Sequence, residues 1–220
     1  MVLPQPRHPL PARGLRQPKL AIEPSAVDWL SLGALPIGLV FFAGTAVGAL
    51  RRRAGHVRAR GDYPALARDL GLDYRPSRYA TGVGSLVGSI DGYRLLVDPD
   101  DQRRILLTWN TPPGLILHHR ADTRRPPPGY VPFRLDNPAA QAFFRTTFAT
   151  KAGLEQLGDG AGLEPFAVAL TGLRGHKDTS ITDAGITLSF DFGNPPFIPA
   201  EVVRHVVLAT VRLARTLAPP

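Results

Sequence analysis

The stretch WLSLGALPIGLVFFAGTAVGAL, residues 29–50, carries 22 residues without a charge, and Arg51, Arg52 and Arg53 follow it at once. In a helix it reaches about 33 Å, enough for a hydrocarbon core of about 30 Å. A secretory leader has a shorter apolar region, about 7–15 residues, followed by a cleavage site. Ala46, Gly48 and Ala49 are small enough for such a site, but the arginine triplet reads as a stop-transfer signal. A wholly buried core helix is usually shorter and seldom ends in clustered arginines. The segment therefore reads as a retained transmembrane helix, with Trp29 at the interface and Pro36 tolerated as a kink.

Basic residues near the two ends set the expected orientation. Arg13, Arg16 and Lys19 precede the span, whereas Arg51, Arg52, Arg53, Arg58, Arg60 and Arg68 follow it. The C-terminal side is expected in the cytoplasm and the N-terminus outside, as in a single-pass protein of a bacterial inner membrane. Residues 51–61 form a basic juxtamembrane linker, and Arg51, Arg52 and Arg53 are candidates for anionic lipid headgroups.

The span also has a face suited to helix packing. Ala34, Gly38, Thr45 and Gly48 fall within one sector of about 80° at 100° per residue, and Gly44 with Gly48 makes G-x-x-x-G. Small residues let a second helix approach closely in lipid. Phe41 shares that sector, so the groove is not uniformly small. The expected partners are other membrane-protein subunits, or a second copy of the chain through the span.

Residues 1–28 hold prolines at 4, 6, 9, 11, 18 and 24. They read as an extended tail of polyproline character. The net charge of +8 suggests nucleic acid at first sight, but residues 1–61 carry nine basic and two acidic side chains, a net of +7. The rest carries 17 basic and 16 acidic, a net of +1. Phosphate neutralisation drives nucleic-acid affinity, so a near-neutral domain argues against a nucleic-acid partner. The chain has no cysteine, which excludes a disulfide scaffold, a thiol nucleophile and cysteine-ligated metal.

Residues 62–220 read as one α+β domain, an antiparallel strand meander with helices packed on it. Asp62 is placed to cap a short helix, with Pro64 in its first turn, Leu66 and Leu70 on one face, and Gly71 at its end. Four strands are expected at 84–90, 93–98, 103–110 and 115–120, with Asp91-Gly92 as the strongest turn signal. A helix is predicted over 139–150, with Phe143, Phe144 and Phe148 on its apolar side, and another within 163–173. TSIT and GITLSFDF form a second hairpin around Asp183-Ala184-Gly185. The helix at 200–217 is the clearest, with a stripe of Val203, Val206, Val207, Thr210, Leu213, Ala214 and Leu217.

Residues able to do chemistry do not gather in the sequence. His118 and His119 are neighbours on a strand and face opposite sides, and His176 and His205 fall in other elements. DPDD (98–101) is oxygen-rich but lacks the spacing of a calcium loop and reads as a solvated turn. GVGSLVG (82–88) neither follows a strand nor opens a helix, as a dinucleotide loop must. Ser85 and Ser89 lack a nucleophile-elbow setting. Asp178, Asp183 and Asp191 are spread over a hairpin. Trp109, Phe133, Phe143, Phe144, Phe148 and Phe166 read as core, and the loop PPPGYVPF offers Tyr130 and Phe133 as a candidate protein contact.

These readings give no catalytic residue, no metal and no cofactor. They favour a non-catalytic accessory subunit that braces a larger membrane complex, such as an energy-transducing assembly or an envelope machine. The alternative is a free-standing, membrane-tethered cytoplasmic ligand-binding or sensor domain.

Overall fold

The structure, a computed structural model, describes residues 57, 60–79, 82–121, 125–160, 162–193 and 197–220. The expected span with its small-residue face, the arginine triplet and the proline-rich tail lie outside the described residues. No helix among the described residues is long and apolar enough to cross a membrane.

The chain forms an α+β fold. Helix α1 (60–70) leads to strands β1 (Asp73–Arg75), β2 (Ser85–Ile90), β3 (Tyr93–Asp98), β4 (Arg104–Thr108), β5 (Leu115–His118) and β6 (Val131–Pro132). Helix α2 (Pro138–Phe143), strand β7 (Thr146–Ala149) and helices α3 (Lys151–Leu157) and α4 (Leu163–Leu170) follow. Strands β8 (His176–Thr182) and β9 (Gly185–Phe190) and helix α5 (Ala200–Leu217) complete it. The strands form one antiparallel sheet in the order β1-β2-β3-β4-β9-β8-β5-β7-β6.

The β2–β3 hairpin closes as its turn chemistry predicts. Asp91 and Gly92 both take positive φ, 51° and 84°, as a two-residue turn matched to strand twist requires. The expected four-strand meander holds only through β4. The β8–β9 hairpin inserts between β4 and β5, pairing Leu107 with Ile186 on one side and Leu117 with Ile181 on the other. The segment joining β4 to β5 carries Pro112-Pro113 and cannot make a tight hairpin, so each strand offers its free edge to the later hairpin.

Gly185 makes that insertion possible. A Cβ there would sit 2.0 Å from the Leu107 carbonyl oxygen, and its φ of +150° is rarely open to other residues.

One sheet face is buried. Leu95, Val97, Ile105, Leu107, Ile186 and Leu188 are each at most 2% exposed, and α5 packs across β3 and β4. All seven residues of the predicted α5 stripe are buried, joined by Val211. Each fully buried Leu or Val contributes about 1.5–3 kcal/mol relative to exposure. Thr210, buried in the same stripe, donates its hydroxyl to the Val206 carbonyl at 2.7 Å, which satisfies that hydroxyl.

Two expected elements differ. Asp62 lies inside α1 rather than at its cap, because the helix already includes Arg60. Gly71 does end it, at φ +68°. The helix predicted over 139–150 breaks after Phe143. Phe144 is extended (φ −94°, ψ 113°), and Thr146–Ala149 pair with β5. Adjacent Thr146 and Thr147 favour a strand, and the open edge of β5 supplies partners that periodicity cannot reveal. Phe148 thus sits on β7 rather than on a helix with Phe143.

Candidate docking groove between α4 and α5

Helix α4 reads LEPFAVAL and has one charged residue in eight. Leu163, Phe166, Ala167 and Leu170, at i, i+3, i+4 and i+7, turn inward and are buried. An ordinary surface helix would carry polar residues on the opposite side. Here Pro165 and Val168 stand exposed, Val168 at 58%. Helix α5 continues the strip, since Leu208 is 42% exposed within an otherwise polar outer side. Together the two helices line an open groove of about 690 Å³.

Gly162 holds the α4 start against the last turn of α5. A Cβ there would lie 2.6 Å from Thr216 Cγ2. The Glu164 carboxylate is turned away, accepting from Asn137 Nδ2 at 2.7 Å. Arg212 and His205 complete the lining from α5, and both are exposed. The signals for this groove were in the sequence: an octamer with a single charge, and Leu208 on the wrong side of an amphipathic helix. Neither signal names the neighbour that shares the groove.

Of the sequence-predicted site residues, Ala34, Gly38, Gly44, Thr45, Gly48, Arg51, Arg52 and Arg53 lie outside the described residues. Tyr130 and Phe133 are both half-buried. The Tyr130 hydroxyl donates to Asp183, and burial first, then this bond, raise its pKa to about 12. Phe133 packs on the core, and its backbone pairs with Thr147.

Asp183, one of three scattered aspartates in the sequence, proves to be a junction. Besides Tyr130 it accepts the Gly114 N–H at 3.0 Å, and its carbonyl accepts Trp109 Nε1–H at 2.8 Å. It thereby ties both ends of the β4–β5 connection to the tip of the inserted hairpin. Asp100, expected in a solvated turn, is half-buried and accepts the Val83 and Gly84 N–H groups at 2.7 and 3.0 Å. Beside it a polar cleft of about 390 Å³ is lined by Arg75, Ser77, Arg78, Asp98 and Asp101.

The fold also joins two histidines from distant elements. The His119 and His176 rings are 5.0 Å apart, beside Phe143. His119 Nδ1 donates to the Phe143 carbonyl at 2.9 Å, and His176 Nε2 bonds Thr179 Oγ1 at 2.8 Å. Burial, and next His119, push the His176 pKa down to about 4. Among the described residues, no three His, Asp or Glu side chains gather as a metal ion would require.

No family model matches the chain, and no curated protein matches it. Among solved structures it is similar to the crystal structure of the mycobacterial trehalose monomycolate transport factor A, TtfA, at 11% identity and a TM-score of 0.45, over 74% of this chain and 97% of that one.

Proposed function

We propose that this chain is a non-catalytic, single-span accessory subunit that braces a larger membrane complex, its tail outside and its α+β domain cytoplasmic. The observation that carries the reading is the apolar strip at Val168 and Leu208, since a contiguous apolar surface on a small domain marks an interaction site. The 22 uncharged residues before Arg51 supply the anchor. Gly44 and Gly48, with Ala34, Gly38 and Thr45, offer a second contact within lipid. Arg51, Arg52 and Arg53 favour anionic headgroups by about 1 kcal/mol each. Tyr130 and Phe133 offer a lesser protein contact.

Gentle detergent extraction followed by a native gel and mass spectrometry tests the reading. Co-migration with a much larger assembly is expected, and a monodisperse monomer overturns it. Gly44→Ile with Gly48→Ile should weaken assembly through the span.

A second reading, a tethered ligand-binding domain, draws on the polar cleft beside Arg75 and Asp98. Saturable binding of a small polar molecule to the monomer, lost in Arg75→Ala, would favour it.

A further inference from the structure

We propose that the α4–α5 groove receives an acidic amphipathic helix of a partner protein. This specifies the contact made by the accessory subunit and rests on that reading.

Shape limits the occupant first. Two packed helices leave a furrow between their ridges, and a third helix fits it with apolar residues at i, i+3 or i+4, and i+7. Helix α4 has eight residues, about 12 Å at 1.5 Å per residue, so the contact covers about two turns. Exposed Val168 and Leu208 stand on the two walls, and half-buried Ala169 and Ala209 allow close approach.

Charge then selects among occupants. Three arginines, Arg204, Arg212 and Arg215, project from the outer side of α5. Arg204 pairs with Asp69 and Arg215 pairs with Asp91. Arg212, the one that lines the groove, has no carboxylate partner among the described residues. The acidic residue of α4, Glu164, is bonded to Asn137 instead. An apolar furrow with an unneutralised guanidinium at its rim complements a helix carrying Asp or Glu beside its apolar face.

The same arrangement disfavours two other occupants. A second copy docked symmetrically would set this groove against itself, with Arg212 on both sides and no carboxylate in the lining to pair it. A lipid surface calls for a cluster of about 4–8 basic residues, whereas the arginines flanking Arg212 are already paired.

The test uses the full-length chain in its native membranes, with a photo-cross-linking amino acid at position 168 or 208. Exposed Glu155 on α3 serves as the control position. Positions 168 and 208 should give the same protein adduct, and position 155 should not. Sequencing of the linked peptide should show apolar residues at helical spacing with Asp or Glu among them. Arg212→Glu should lower the yield about tenfold or more, and Val168→Glu should do the same, each with an unchanged circular dichroism spectrum. Adducts to a second copy, to lipid, or to a peptide without acidic residues overturn the proposal. So does an unchanged yield in Arg212→Glu. If the chain co-migrates with a large assembly but the groove gives no adduct, the groove proposal fails and the accessory reading stands. If the chain runs as a monomer, both fail.

Discussion

The two halves of the sheet are built by different rules. Strands β2, β3 and β4 follow one another in sequence and in space, each held by the turn beside it. Strand β4 meets β9, and β5 meets β8, only because the chain returns after three helices to wedge the β8–β9 hairpin between β4 and β5. The first half rests on turn chemistry. The second rests on close backbone approach at Gly185, the Asp183 junction and a half-buried histidine pair. Local turns are cheap to damage and easy to read. Long-range junctions are costly to damage and nearly invisible in sequence, because no residue announces a partner 70 positions away.

The sharpest break compares two glycines. Gly185→Ala forces a Cβ into the Leu107 carbonyl, and we expect a loss of about 3–5 kcal/mol in urea unfolding. Gly92→Ala in the local turn should cost only about 1–2 kcal/mol, mostly the left-handed penalty, since its Cβ would meet only the Pro220 side chain, at 3.1 Å, and no backbone. Equal losses would remove the distinction.

Next comes Asp183→Ala, which leaves the Gly114 N–H and the Tyr130 hydroxyl without their acceptor. A loss of about 2–3 kcal/mol follows from stranding such groups. Spectroscopic titration gives an independent check, because Tyr130 should fall part of the way from about 12 toward an ordinary tyrosine. Burial, the larger cause, remains.

His176 gives the seam between β8 and the end of β5 a pH signature. Its folded pKa, about 4, lies below the ordinary 6.5, so the unfolded chain takes up the proton first. Stability from this group is complete above about pH 6.5 and declines as pH falls toward 4, by on the order of 2 kcal/mol. His176→Phe should flatten that portion of the curve relative to the parent. A decline unchanged by the substitution would assign it to other groups.

The smallest effect belongs to the exposed pair of Asp91 and Arg215, with side chains 36% and 58% exposed. Asp91→Asn keeps a residue tolerant of positive φ and should shift stability by less than about 1 kcal/mol, vanishing at high salt. A large loss would mean that the local hairpin depends on α5 as the inserted one depends on Asp183.

The groove belongs to the non-local half. Helix α4 lies between β7 and β8 in the chain and packs on α5, from which the whole inserted hairpin separates it in sequence. The sequence therefore displayed the groove's ingredients, such as the octamer LEPFAVAL and the misplaced Leu208, without their juxtaposition. Segment 139–150 makes the same point. Its aromatics suit a helix or a strand, and the free edge of β5 decided for a strand beyond Phe144.

By itself the sequence determined what depends on neighbours in the chain. It set the α+β class, the Asp91-Gly92 hairpin and the α5 stripe, because turn φ angles and helical periodicity act over a few residues. Tertiary structure alone decided the strand order, the roles of Asp183 and Asp100, the meeting of His119 with His176, and the apolar strip left open at Val168 and Leu208. Those depend on which edges and faces remain unpaired once the chain has closed on itself, and that is a property of the whole packing.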